Sequence, residues 1–252
     1  MVGGLGIERL SLTTHMGAEN SFSSQGVAMP SIFITGAGRG LGLEFARQYS
    51  AAGWTVTAAC RDPSRASDLA ALSVETVALD LADASSILRA AERLAGRSFD
   101  ILLNNAGVYG EGQQFGRLSE REWERVMLVN TIAPVKLTEA FLPHLLAGQR
   151  KLAVFLTSKM GSIADNSSGG SYIYRSSKAA LNAAVKSLSI DLAPRGVTTL
   201  LLHPGWVQTD MGGPNALITP EESIAGMRRR IDEVEPGQPL KFLDYAGALL
   251  PW

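Results

Sequence analysis

From Ser31 to the end of the chain, short apolar runs alternate with longer segments of helical period. That alternation marks a parallel sheet with crossover helices. The runs at 31–35, 55–60, 74–79, 99–103, 152–157, 197–202 and 240–244 predict seven strands. Most are continuously hydrophobic, as strands covered on both faces must be. Helices are predicted near 41–52, 64–72, 83–95, 119–147, 175–193 and 220–233. Gly53 and Gly96 stand where two of them should stop, and Pro194 with Gly196 closes the fifth. No internal repeat or second core interrupts the series. The pattern predicts one α/β domain over residues 29–252, a doubly wound seven-stranded parallel sheet flanked by helices.

Residues 1–28 break the pattern: they are rich in Gly, Ser and Thr and carry no sustained period. They lack the basic start and apolar segment of a secretory signal. Met29 directly precedes Pro30 and the first strand, so this stretch is expected to be a flexible extension or an upstream start of translation.

Composition narrows the function classes. A net charge of −1 leaves no basic surplus to hold phosphate backbones, which argues against a nucleic-acid partner. No apolar stretch approaches the roughly 18–20 residues of a membrane span. The single cysteine, Cys60, has no partner for an internal disulfide, which points to a reducing compartment and a cytoplasmic setting. His15, His144 and His203 are scattered without a second ligand at metal spacing, so no metal site is expected. A G-x-S-x-G elbow is also missing, which disfavours a hydrolase.

Open α/β sheets bind ligands beyond the carboxyl ends of their strands, and the chemistry-bearing motifs fall there. After the first strand comes T-G-A-G-R-G-L-G: Thr35, Gly36, Gly38, Arg39, Gly40, Leu41 and Gly42. Glycines let a tight turn adopt positive φ and let backbone approach a pyrophosphate closely. The helix that follows would offer free N–H groups and its positive dipole end. A glycine-rich turn alone is weak evidence; the strand before it and the helix after it strengthen it.

Further along stand Asp80, the N-N-A-G of Asn104 to Gly107, Asn130, Ser158, the Tyr174-x-x-x-Lys178 pair and Pro204-Gly205-x-x-x-Thr209. Together with the T-G-x-x-x-G-x-G turn, this series resembles the short-chain dehydrogenase/reductase family, whose fold is of Rossmann type, in family order over residues 31–252. The resemblance implies that Asp80 and Leu81 lie beside the adenine. It implies that Asn105, Ala106 and Gly107 line the adenosine pocket, and that Pro204, Gly205, Val207 and Thr209 hold the nicotinamide carboxamide. It further implies that Asn130 bends its helix and holds a relay water near Lys178. The stretch G-G-S-Y-I-Y-R-S-S-K-A-A-L-N and the terminal L-P-W look similar to the C-factor and sniffer-like carbonyl reductase branch.

Cofactor choice is readable after the second strand, where NAD-binding sites carry an acid for the ribose hydroxyls. Here the chain has Cys60-Arg61-Asp62. Arg61 suits bidentate phosphate binding, and Arg39 in the glycine turn can face the same group. NADP(H) is therefore expected, with Asp62 keeping NAD(H) as the lesser option.

Tyr174 and Lys178 share one helix face, and an ammonium beside a phenol should lower its pKa toward the working range. An isolated Tyr-x-x-x-Lys is common on surface helices; its place after the fifth strand singles this one out. Tyr172 has Ser at the position four residues on. Ser158 can donate to a substrate oxygen as negative charge grows on it, with Ser162 as a neighbouring competitor. Residues 210–220 are expected to form a short substrate lid, with Trp206 and Met211 as apolar wall.

The resulting expectation is hydride exchange between NADP(H) and a small to medium carbonyl or alcohol, with Tyr174 as general acid/base assisted by Asn130, Ser158 and Lys178. An NADP-binding regulatory protein with weak turnover is the alternative, and oxidation of a diol a third reading. The long fourth and fifth helices resemble those that pair subunits in the family. With Ala179, Ala180, Ala183 and Ala184 allowing close approach, a homodimer or homotetramer is expected, with a monomer as the alternative for this branch.

Overall fold

A computed structural model describes residues 1–4 and 29–252; the flexible extension expected over 1–28 falls almost wholly outside the described residues. The strands are β1 (Ser31–Thr35), β2 (Thr55–Cys60), β3 (Glu75–Ala78), β4 (Ile101–Asn104), β5 (Leu152–Leu156), β6 (Thr198–His203) and β7 (Phe242–Asp244). All pair in parallel, in the order β3-β2-β1-β4-β5-β6-β7. The order reverses between β1 and β4, where a crevice opens at the carboxyl edge.

Successive side chains on a strand point to opposite faces, and β1 shows the consequence. Ile32 and Ile34 enter the apolar layer beneath α1 (Gly40–Ala51) and α8 (Pro220–Asp232). Phe33 enters the opposite layer, packed against Phe99 and Phe141. That second layer lies under α3 (Ala84–Arg93), α5 (Ala133–Ala140) and α7 (Tyr172–Leu192). Gly53, Gly96 and Gly196 all take positive φ at the chain reversals assigned to them. Among the described residues, no helix is long and apolar enough to cross a membrane.

Two predicted helices come out differently. The stretch near 64–72 holds only α2 (Ser67–Ala70), preceded by a 3₁₀ turn at Pro63–Arg65 whose first turn is capped by the Asp62 carboxylate. The single helix over 119–147 is broken into α4 (Glu120–Met127), a π-helical turn at Leu128–Ile132, α5, and α6 (Leu142–Ala147). Pro134 and Pro143 each sit in the first turn of a new segment, where a missing N–H costs least. α7 starts at Tyr172, three residues earlier than its period indicates.

Candidate active site

The crevice is a cavity of about 980 Å³ that runs along the carboxyl edge from β3 to the loop after β6. At its centre lies the turn between β1 and α1. Gly36 and Gly40 adopt φ of +67° and +55°, where a side chain would be strained. Gly42 is required for space: a Cβ there would stand 2.2 Å from the Gly36 carbonyl oxygen. Thr35 and Asn105 tie this turn to the end of β4. Thr35 Oγ1 accepts from the Asn105 and Ala106 N–H groups, and Asn105 Nδ2 donates to the Thr35 carbonyl at 2.8 Å. α1 begins without a side-chain cap and without an acid in its first turn. Its leading N–H groups are thus left for an anion.

The β2–β3 end of the cleft carries both signs of charge, with Asp62 and Asp80 beside three arginines. Arg39, Arg61 and Arg65 line it. The Asp62 carboxylate among them is held by the Ser64 hydroxyl and N–H, which keep it below the usual carboxylate range. Arg39 also reaches across the mouth to Asp210, 2.8 Å away, so the glycine turn touches the segment expected to act as lid. Asp80 accepts from the Ala82 N–H and lines the cleft beside Leu81. Cys60 is buried under the turn, its thiol pushed up by burial, in keeping with a packing role.

At the other end, Tyr174 and Lys178 stand in the first turns of α7, both buried. Burial pushes the Tyr174 phenol up to about 12, with Tyr109 adding to the rise and a hydrogen bond to Ser158 opposing it. Lys178 is brought down to about 8 by the same burial. The lowering of the phenol pKa that a neighbouring ammonium would give is outweighed. Lys178 Nζ donates to the Leu156 carbonyl at 2.9 Å and lies 5.9 Å from the centre of the tyrosine ring. Such a phenol stays protonated at neutral pH, and it can give its proton to an oxygen placed against it.

Asn130 sits in the π-helical turn and is fully buried. Its Oδ1 accepts from the Val108 N–H at 2.8 Å, and its Nδ2 donates to the Val108 carbonyl and to Ser177 Oγ. The side chain therefore clamps the strand end that carries Asn105, Ala106 and Gly107. Gly107 keeps the floor open, since a Cβ there would stand 3.3 Å from Asn130 Oδ1 and 3.5 Å from Lys178 Nζ.

The remaining predicted positions divide by place. Gly38, Leu41, Pro204 and Thr209 line the cleft. Gly205 and Val207 support it from behind: Gly205, at φ +86°, packs against Tyr245 and Ile218, and buried Val207 bridges to Ile218. Ser158 faces the phenol, whereas Ser162 bonds to the Trp252 carbonyl and the Asp165 N–H. Met211 lines the cleft, but Trp206 is half exposed and spends its indole N–H on the Gly212 carbonyl. Sequence reading passed over Arg65, Arg125, Tyr109 and Gln113, and gave Asp210 only as the start of the lid. Arg65 follows Arg61 by one helical turn and Asp210 follows Thr209, so those two had a signal. Tyr109 and Gln113 lie in an irregular loop with none. Among the described residues, no cluster of His, Cys, Asp and Glu could hold a metal.

Comparison with known proteins agrees with this geometry. The family profile described as short chain dehydrogenase matches residues 30–217. The C-signal protein of Myxococcus xanthus is 48% identical over 153 residues, 61% of this chain and 92% of that protein. A 1-hydroxy-2-glutathionyl-2-methyl-3-butene dehydrogenase of a Rhodococcus species is 34% identical over 89% of this chain and its full length. The carbonyl reductase Sniffer of D. melanogaster superposes with a TM-score of 0.81 at 31% identity, covering 89% of this chain and all of Sniffer. An NADPH-bound carbonyl reductase from chicken fatty liver gives 0.82 at 33% identity, over 89% of this chain and 99% of its own. Built on that fold and matched across most of its length, the chain is an oxidoreductase and belongs to the short-chain dehydrogenase family.

Proposed function

We propose that this protein is an NADP(H)-dependent carbonyl reductase in which Tyr174 is the proton donor. The observation that carries the reading is a buried phenol, held protonated with a pKa of about 12, between Ser158 and Lys178 at one end of a glycine-floored cleft. NADP(H) fits that cleft by its own features: an uncapped helix N-terminus for the pyrophosphate, a floor that side chains would fill, and arginines where a 2′-phosphate would lie. Several solved relatives carry NADP or NADPH in their structures.

Bound there, the reduced cofactor would supply hydride to a carbonyl carbon. The leading N–H groups of α1 would hold the pyrophosphate, with Asp80, Leu81 and Ala106 around the adenosine. Pro204 and Thr209 would flank the nicotinamide, supported by Gly205 and Val207. Ser158 would donate to the substrate oxygen as charge develops on it, and Tyr174 would pass its hydroxyl proton to that oxygen. Lys178 would balance the phenolate left behind, and Asn130 would keep the pocket floor in place through Val108. The reading extends to copies pairing through α4 and α7, where Ala183 is exposed and Ala179, Ala180 and Ala184 are partly covered.

The test is a panel of small and medium ketones and aldehydes followed by NADPH absorbance. Tyr174→Phe keeps the ring volume and removes the proton, so turnover should fall about 10²–10⁴-fold with cofactor binding intact. Near-normal turnover in that variant would falsify the mechanism. The likeness to C-signal favours one second reading, an NADP-binding regulatory protein with weak turnover. It predicts tight NADPH binding with no carbonyl in the panel turned over.

A further inference from the structure

We infer that Gln113 is a positioning residue, the remote cap that fixes the catalytic end of α7; this rests on Tyr174 being the proton donor. Helices normally satisfy their first N–H groups with the side chain of the residue that precedes them. α7 does not: Ser171, at its head, has left-handed φ and ψ of 48° and 39° and makes no side-chain cap. It follows two glycines that are also left-handed, both at φ +64°. A serine held in that region is strained and persists where its surroundings fix it.

The surroundings here come from the loop after β4. The Gln113 carbonyl accepts from the Tyr172 N–H at 3.2 Å, and Gln113 Oε1 accepts from the Tyr174 N–H at 3.1 Å. Its Nε2 donates to the Tyr109 carbonyl at 2.6 Å, which orients the amide. Tyr109 completes the clamp: its hydroxyl shares a hydrogen bond of 2.8 Å with Ser171 Oγ, and its ring packs 4.8 Å from that of Tyr174. The loop is in turn fixed to α4, where Glu122 accepts from the Glu111 N–H. Gly110 is confined by Val126 and the Gln113 amide, which a Cβ would meet at 2.7 and 2.9 Å. The proton donor is thus set by a residue 61 positions away in sequence and not by its own helix start.

Gln113→Ala removes the acceptor and should lower kcat on a carbonyl substrate at least tenfold, since small misplacements near the chemistry cost up to about 10²-fold. KM for NADPH should stay within about twofold, because Gln113 lies outside the residues lining the cofactor cleft. In the cofactor-free protein, the Tyr174 amide should exchange with solvent at least tenfold faster. Gln113→Glu keeps an Oε1 acceptor but loses the Nε2 donor that the Tyr109 carbonyl uses, so both readouts should fall short of the parent there as well. A Gln113→Ala variant with kcat within twofold of the parent, or with a Tyr174 amide that exchanges as slowly as the parent's, overturns the proposal. Should Gln113→Ala fail to fold, Tyr109→Phe removes only the hydroxyl that holds Ser171. A several-fold loss of kcat there supports the clamp, and an unchanged kcat overturns it. Tyr174→Phe in the same assay separates the two ideas: if it stays active the proton-donor reading fails, whereas a dead Tyr174→Phe beside an active Gln113→Ala removes only the clamp.

Discussion

Tyr174 and Lys178 pull in opposite directions because one cause acts on groups of opposite charge type. Burial disfavours the charged form of each, so the phenol rises to about 12 and the ammonium falls to about 8. A protonated phenol is what reduction requires, and an ammonium beside it stabilises the phenolate only while it keeps its proton. Below about pH 8 Lys178 is charged; above it the charge is lost. Reduction rates should therefore be flat through neutrality and decline as pH rises through about 8. In Lys178→Arg, whose guanidinium does not titrate in this range, any turnover that survives should lack that limb. A wild-type profile that stays level to pH 9.5 would count against this assignment. The same shift bears on stability. The folded state binds a proton at Lys178 more weakly than the unfolded chain does. Its contribution to stability therefore increases as pH climbs from about 8 toward the ordinary 10.5. At neutral pH the buried ammonium is a cost, one that the proposed role of Tyr174 as proton donor would account for.

The break in the fourth predicted helix shows how an element can be read correctly in extent and wrongly in form. Apolar period covers 119–147 without a gap, and nothing in that period distinguishes α-helical from π-helical spacing. Yet the π turn is what brings Asn130 to Val108, and through Val108 to the floor of the cleft. Asn130→Leu fills similar volume but leaves the Val108 N–H and carbonyl without their partner. An unsatisfied buried group costs about 1–3 kcal/mol; Val108 is only partly buried, so its two groups together should cost roughly 2–4 kcal/mol, toward the lower end of that range. For a domain of this size that is a fall in Tm of about 5–15 °C, readable by calorimetry. A Tm within 2 °C of the parent would show that the clamp carries no weight. Strands were the most legible elements, because a strand buried on both faces must be a continuous apolar run, and β1 and β2 begin and end as their runs do. The turn from Gly36 to Gly42 was legible because it follows directly on β1, and Tyr174 with Lys178 stood out by their four-residue spacing on one helix face. Gln113 and Tyr109 were not legible, because their partners, Tyr174 and Ser171, are 61 and 62 residues away and only the folded loop brings them together. Local spacing also misjudged the direction of the Tyr174 shift, since burial is a property of the whole pocket.

Across the whole molecule the charge is nearly balanced, at −1, yet the fold gathers Arg39, Arg61 and Arg65 at one end of a single cleft. Sequence order hides this: Arg61 and Arg65 follow β2, Arg39 precedes α1, and the parallel order β2-β1-β4 sets those two loops side by side. Two acids stand beside them. Asp62 is turned onto Ser64, and Asp210 sits on Arg39 in an exposed pair. Exposed pairs are worth at most about 1 kcal/mol, so Arg39 can exchange Asp210 for a better anion with little loss. A 2′-phosphate is such an anion, with charge-assisted hydrogen bonds worth about 1.5–3 kcal/mol. We therefore expect NADPH to bind about 10- to 100-fold more tightly than NADH in a fluorescence titration at low salt. Because the arginines are exposed, the gap should narrow as ionic strength rises. Arg61→Asp replaces the donor with a repelling carboxylate that can instead accept from ribose hydroxyls, so the order of affinities should reverse. Equal affinities for the two cofactors in the parent protein, at low salt as well as high, would mean that the arginines are solvated surface charge and that the cleft does not read the 2′ position.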